Sequence, residues 1–118
     1  WHVPTDVEWT LLTDYLAANG HSGTEGTALK DTSGWGWLAS HNGTNDYGWD
    51  GLAEGSRGNH NYGYQGDWWS SSQYNYYRAV SRSLEYSNGL VGRHFDEKRD
   101  GFSVRCIKGC YPYTYCPD

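Results

Sequence analysis

Val7, Leu11, Leu12, Tyr15 and Leu16 recur at the spacing of one helix face, with polar residues between them. Thr5 and Glu8 stand ahead of this run as a capping-box pair, the Thr side chain facing the Glu8 backbone and the Glu side chain reaching back. Asn19-Gly20 then supplies a left-handed C-cap, so the pattern predicts a first helix from about Thr5 to Asn19. A second, shorter helix is predicted over Thr24 to Lys30, anchored by Ala28 and Leu29. From Asp31 to Gly66 the periodicity fades. Gly, Asn and Ser there punctuate a series of rings, Trp35, Trp37, Tyr47, Trp49, Tyr62 and Tyr64. This predicts a long irregular region with short strands, held down by its aromatic side chains, and such stretches inside compact domains are often functional.

The C-terminal half alternates with the period of a strand. Trp68 to Ser72 is a first short strand. Tyr76 to Tyr86 follows, with Val80, Leu84 and Tyr86 on one face and Ser81, Ser83 and Glu85 on the other. Asn88-Gly89 is a hairpin-turn signal, and Leu90 to Phe95 returns. After the charged loop from Asp96 to Gly101, Phe102, Val104 and Cys106 are expected to face inward, and Ser103, Arg105 and Ile107 outward. Helices first and an antiparallel β-meander last make this an α+β chain, with no internal repeat.

Composition changes the picture of the core. The 118 residues suffice for one domain, and they include 7 Trp and 11 Tyr but only 2 Phe and no Met. Rings must therefore supply much of the buried area, and Trp9, Trp35 and Trp69 are the expected core members. Trp37, Trp49 and the Tyr74, Tyr76, Tyr77 group are less firmly tied to the core. They are candidates for stacking on sugar rings, with Asn45, Asp46 and Asp50 as partners for hydroxyl groups. The stretch from Asn42 to Asp50 is also dense in oxygen ligands, which would suit calcium through Asn45, Asp46 and Asp50. Turn formation is the competing explanation for the same residues. Asn42-Gly-Thr44 fits an N-glycosylation sequon.

Charge narrows the partners. A net charge of −5 with no Lys/Arg run excludes the basic footprint that nucleic acid demands. No apolar stretch approaches the ~18 residues of a transmembrane helix. The chain starts at Trp1 without a secretory signal, so it reads as a processed product or an excised piece. Mean hydropathy is −0.86 although charged residues are only 19%. Abundant Tyr, Trp, Asn, Gly and Ser with little Lys point to an extracellular or cell-surface module.

Catalytic signals are weak. His2, His21, His41, His60 and His94 are scattered without ligand spacing, and no nucleophile-elbow, zincin or phosphate-loop motif occurs. Asp46, Asp50, Glu54 and Asp67 are carboxylates available for acid–base work, but nothing singles out a pair. Cys106, Cys110 and Cys116 crowd the C-terminal end. An odd number suggests one bridge plus a leftover thiol, or a bridge to another chain, with unpaired thiols as the alternative. Zinc is disfavoured, because no His follows at finger-like spacing.

Several of these motifs occur together in one family. Trp1 to Trp9, Leu29 to Trp35, Asn42 to Asn45, Trp69 to Ser71 and Gly101 to Cys106 resemble, in order over residues 1–106, the Fibrobacter succinogenes major paralogous domain. The resemblance implies a domain over 1–107 followed by a Cys/Tyr/Pro-rich tail over 108–118, in a bacterial secreted or cell-surface protein. The Gly101 to Cys106 segment and the Gly55-Ser-Arg57 turn are also distantly similar to formylglycine-generating enzymes. That similarity implies a C-type-lectin-like fold, with adjacent termini and long irregular loops above a sheet. The catalytic cysteines of that enzyme group and the sugar-and-calcium signature of C-type lectins have no counterpart here, so the fold transfers better than either activity.

Family members usually carry Cys-Pro-x-Gly before the opening Trp-His-Val-Pro-Thr motif, whereas here Tyr115-Cys-Pro-Asp118 stands at the other end. The resemblance implies that Cys116 takes the place of that missing cysteine and bridges to Cys106, within one chain or head-to-tail with the next. The expectation is a non-enzymatic module without a cofactor, unless calcium is bound, for adhesion or recognition of a glycan or protein ligand. The alternative is a structural subunit of an extracellular filament or surface assembly, joined through its tail.

Overall fold

The capping box forms as its spacing predicts. Thr5 Oγ1 accepts from the Glu8 N–H at 3.1 Å, and the Glu8 carboxylate accepts from the Thr5 N–H at 3.0 Å. Helix α1 runs Asp6–Leu16 and continues into a looser turn, Ala17–His21, that ends where Gly20 takes a φ of 94°. In this computed structural model, which describes residues 1–57 and 61–109, α2 spans Glu25–Leu29. Strands β1 (Gln65–Gln73), β2 (Arg78–Glu85) and β3 (Val91–Glu97) follow, in the spatial order β1-β2-β3 with antiparallel pairing. The molecule is thus α+β, an N-terminal helix followed by a three-stranded meander. Between α2 and β1 the only helical turn among the described residues is Ala39–His41.

Register divides the sheet cleanly. Trp68 pairs with Arg82 and Gly66 with Leu84, while Arg82 pairs with Arg93 and Leu84 with Val91. These residues share the face that α1 covers. The core there is Trp9, Leu16, Ala28, Leu29, Trp35, Trp68 and Leu84, with Leu12, Trp49, Ala53, Tyr86 and Val91 packed at its border. Arg82 is 4% exposed on this face and is held by Asp6, which also binds Arg93. Asp67 and Ser83, one residue out of step, face the other way.

Three expectations need correction. The inward stripe of α1 is Trp9 and Leu16, with Leu12 partly buried beside them; Val7, Leu11 and Tyr15 are exposed. The core tryptophan of β1 is Trp68, whereas Trp69 is half-buried against Phe102 on the opposite face. The closing segment from Gly101 is a string of isolated bridges, Arg57 to Gly101, Trp68 to Ser103 and His2 to Ile107. Phe102 packs on Trp69 as expected, but beyond it the facing is reversed. Val104 and Cys106 are exposed, while Arg105 lies over the Trp49 ring at 4.4 Å. His2 and Ile107 exchange two backbone hydrogen bonds of 2.9 Å, which brings these two ends of the domain together.

Lys30 pins the irregular region to the sheet. Its side chain is buried, and Nζ donates to the carbonyls of His41 at 3.2 Å, Glu85 at 3.0 Å and Asn88 at 3.0 Å. The Trp35 ring lies 5.3 Å from the same nitrogen. Burial pushes the Lys30 pKa down from its ordinary value. Three carbonyl dipoles and a ring face offset the lost hydration.

Candidate functional site

The turn between β1 and β2 carries the most exposed rings expected to bind ligand. Asn75 shapes it, its Oδ1 accepting from the N–H groups of Tyr77 at 2.9 Å and Arg78 at 2.8 Å. This turn lifts Tyr76 and Tyr77 into solvent, 80% and 73% exposed, with ring centroids 5.0 Å apart and nearly perpendicular. Beside them a groove of about 690 Å³ is lined by Arg78, Glu97, Lys98 and Arg99. Lys98 is oriented by Gln73, whose Oε1 accepts from Nζ at 2.6 Å. Tyr74 is stacked on Phe95 at 4.0 Å, so one face of its ring is already occupied. Rings beside donors and acceptors form the combination that binds a sugar's C–H face and its hydroxyls.

The other expected residues do not join this surface. Trp37, 66% exposed, belongs to a separate cluster with His41, Tyr64 and Tyr86. The Trp49 ring meets Trp9 and Trp68 edge-on, and the Arg105 guanidinium covers it, so its role is packing. It also borders an apolar cavity of about 290 Å³ lined by Pro4, Trp9, Leu12 and Ile107. Nearby, Trp9 Nε1 is a buried donor that has no acceptor among the described residues.

The Asn/Asp loop closes on itself. Asn45 Nδ2 donates to Asp50 Oδ1 at 2.6 Å and the Asp50 N–H to Asn45 Oδ1 at 2.9 Å, with both residues at positive φ. Asp46 turns away, accepting from Thr44 at 3.1 Å and lying 3.3 Å from His21 Nε2. Asn45, Asp46 and Asp50 therefore serve first as turn-formers. Among the described residues no group of three His, Cys, Asp or Glu is placed to hold a metal ion. Asn42 of the sequon uses its Oδ1 to accept from the Trp35 N–H at 3.0 Å. Cys106 is exposed and has no disulfide partner among the described residues; the Cys116 end of the expected bridge lies outside them, as does the tail from 110 onward.

Asn75, Lys98 and Arg99 were missed in the sequence. A signal existed, since the turn from Tyr74 to Tyr77 separates two strands and must project its central rings. Lys98 and Arg99 follow β3 directly, and their place beside the turn depends on register that only pairing reveals.

No helix among the described residues is long and apolar enough to cross a membrane. No curated protein and no solved structure is significantly similar to the chain. The opening helix with its capping box and the closing segment that returns to His2 both lie within residues 1–108, which match the Fibrobacter succinogenes major domain, and the chain belongs to that family.

Proposed function

We propose that this domain is a non-enzymatic recognition module of a bacterial cell surface or secreted protein, binding a glycan or a protein ligand through the β1–β2 turn. The observation that carries the reading is the pair of exposed rings, Tyr76 and Tyr77, at the lip of a groove lined by Arg78, Glu97, Lys98 and Arg99. Exposed aromatic surface beside oriented polar groups is costly to leave bare and marks interaction sites. The same reading takes the architecture as C-type-lectin-like. Long irregular loops and chain ends joined at His2 and Ile107 support it.

A second reading is a subunit of an extracellular assembly, linked through the C-terminal tail, residues 108–118. The exposed thiol of Cys106 favours it. A glycan array read with Tyr76→Ala and Tyr77→Ala, beside non-reducing electrophoresis, separates the two. Binding that falls about ten-fold or more on ring removal supports recognition. Absence of binding with disulfide-linked oligomers supports assembly. Binding unaffected by either substitution removes the turn as the site.

A further inference from the structure

The sheet face turned away from α1 carries a polar stretch beside the Trp69–Phe102 contact. Strand alternation places Gln65 and Asp67 of β1, Ser81, Ser83 and Glu85 of β2, and His94 and Asp96 of β3 on it. Part of this polar face is deeply buried, with Ser81 at 0%, Ser83 at 2% and Asp67 at 5% exposure. The Ser56-Arg57 and Asp100-Phe102 segments, joined by an Arg57 N–H to Gly101 carbonyl bond of 2.8 Å, rise beside it. They leave a cavity of about 420 Å³.

Most of the floor is internally satisfied. Ser83 Oγ lies 2.8 Å from His94 Nε2, Ser81 Oγ donates to Asp96 Oδ2 at 2.5 Å, and Gln65 Nε2 donates to Asp67 Oδ1 at 2.9 Å. Asp67 Oδ2 is the exception: it has no hydrogen-bond partner among the described residues and is not an enclosed atom, so it opens to the cavity. An acceptor left open in a cavity wall is a place where a ligand can bring a donor.

The sign of that ligand follows from the walls. Asp67, Glu85, Asp96 and Asp100 face the cavity against one guanidinium, Arg57, which forms no ion pair among the described residues. A half-enclosed cavity with this excess concentrates negative potential. The carboxylates are spread along the walls, and no three of them converge as metal ligands would. Spread acceptors suit a cation whose N–H donors diverge. We propose that this cavity binds an organic cation, a primary ammonium or guanidinium group such as a lysine or arginine side chain or a free amine presents, with Asp67 Oδ2 as the acceptor on its floor. Burial and the neighbouring Asp96 and Glu85 charges push the Asp67 carboxyl up from its ordinary range, and a bound cation opposes that shift.

Isothermal titration of the full chain tests this with agmatine, cadaverine and the blocked tripeptide acetyl-Gly-Arg-Gly-amide, against uncharged 1,5-pentanediol. The expected result is saturable binding of at least one cation, weakened about ten-fold or more by Asp67→Asn. Binding of the tripeptide alone assigns the site to a partner protein's side chain, and binding of agmatine or cadaverine to a free amine. Asp67→Asn preserves shape and the Gln65 contact, so its thermal transition is expected at or above the wild-type value. Should it not fold, Asp100→Asn at the rim gives a second measurement, with affinity expected to fall about three-fold by loss of a near charge. Equal affinity in the variant, or a diol that binds as well as cadaverine, overturns the proposal.

Discussion

Asp6 sits in the first turn of α1, where its carboxylate meets guanidinium groups from two different strands. Arg93 donates to it at 2.7 and 3.0 Å and Arg82 at 2.7 Å. The Arg93 hydrogen bond is the largest influence, and it outweighs burial to hold the Asp6 pKa at about 2 instead of 3.8. The folded-state pKa is depressed, so the stabilisation is present above 3.8 and is lost as the pH falls through about 2. Its size is on the order of 2 kcal/mol. Denaturant titrations at a series of acidic pH values should show this loss in the wild type and not in Asp6→Asn. At neutral pH, Asp6→Ala is expected to cost about 3 kcal/mol or more, because it strands the buried Arg82. Thr5 and Glu8 were legible from spacing, but the two arginines that engage Asp6 were not. Neither was singled out by spacing, and only the pairing of β2 with β3 sets them side by side facing the helix.

Element boundaries follow how local each signal is. The faces of β2 were readable, since alternation separates Val80 and Leu84 from Ser81 and Ser83 without reference to any neighbour. The segment from Gly101 to Ile107 alternates just as well, yet it forms only scattered bridges, and beyond Phe102 its outer and inner faces are reversed. Its partners are Arg57, Trp68 and His2, so alternation alone cannot say which side meets the molecule. Helix α2 shows a tertiary override of propensity. A Cβ at Gly26 would collide with the Leu90 carbonyl oxygen, and the Gly26 N–H donates to Gly89 O at 2.7 Å. Gly26→Ala would favour an isolated helix by about 1 kcal/mol. Here it is expected to destabilise by roughly 2 kcal/mol, measured as a lower urea midpoint with unchanged m-value.

For the molecule as a whole, Lys30 decides whether the irregular region behaves as an integral piece of the domain. One buried ammonium joins His41 of that region to Glu85 at the end of β2 and Asn88 in the next turn. Lys30→Met keeps the apolar stem and strips these carbonyls of their donor, with an expected cost of roughly 3 kcal/mol. Hydrogen exchange should report it as faster exchange at the Trp35 and Gly43 amides, with little change in the strands. A lysine after a short helix gives no sequence sign of burial, because its acceptors come from three distant points. The same holds for Asp67. It was visible as one carboxylate among four, and only strand pairing places it on the buried floor with Ser83, His94 and Asp96 around the cavity.

The clasp between His2 and Ile107 has a mechanical side. Tension applied at the two ends of the domain meets an antiparallel pair whose two hydrogen bonds break singly, as the teeth of a zipper open. Pulled this way, the ends come apart first, and the load then passes to the junction of Ser103 with β1 and to the start of α1, where Pro4 O holds the Ser71 N–H at 2.9 Å. The β1-β2-β3 ladder lies behind these contacts. A domain tethered through its ends would stretch at its clasp while the turn bearing Tyr76 and Tyr77 kept its shape.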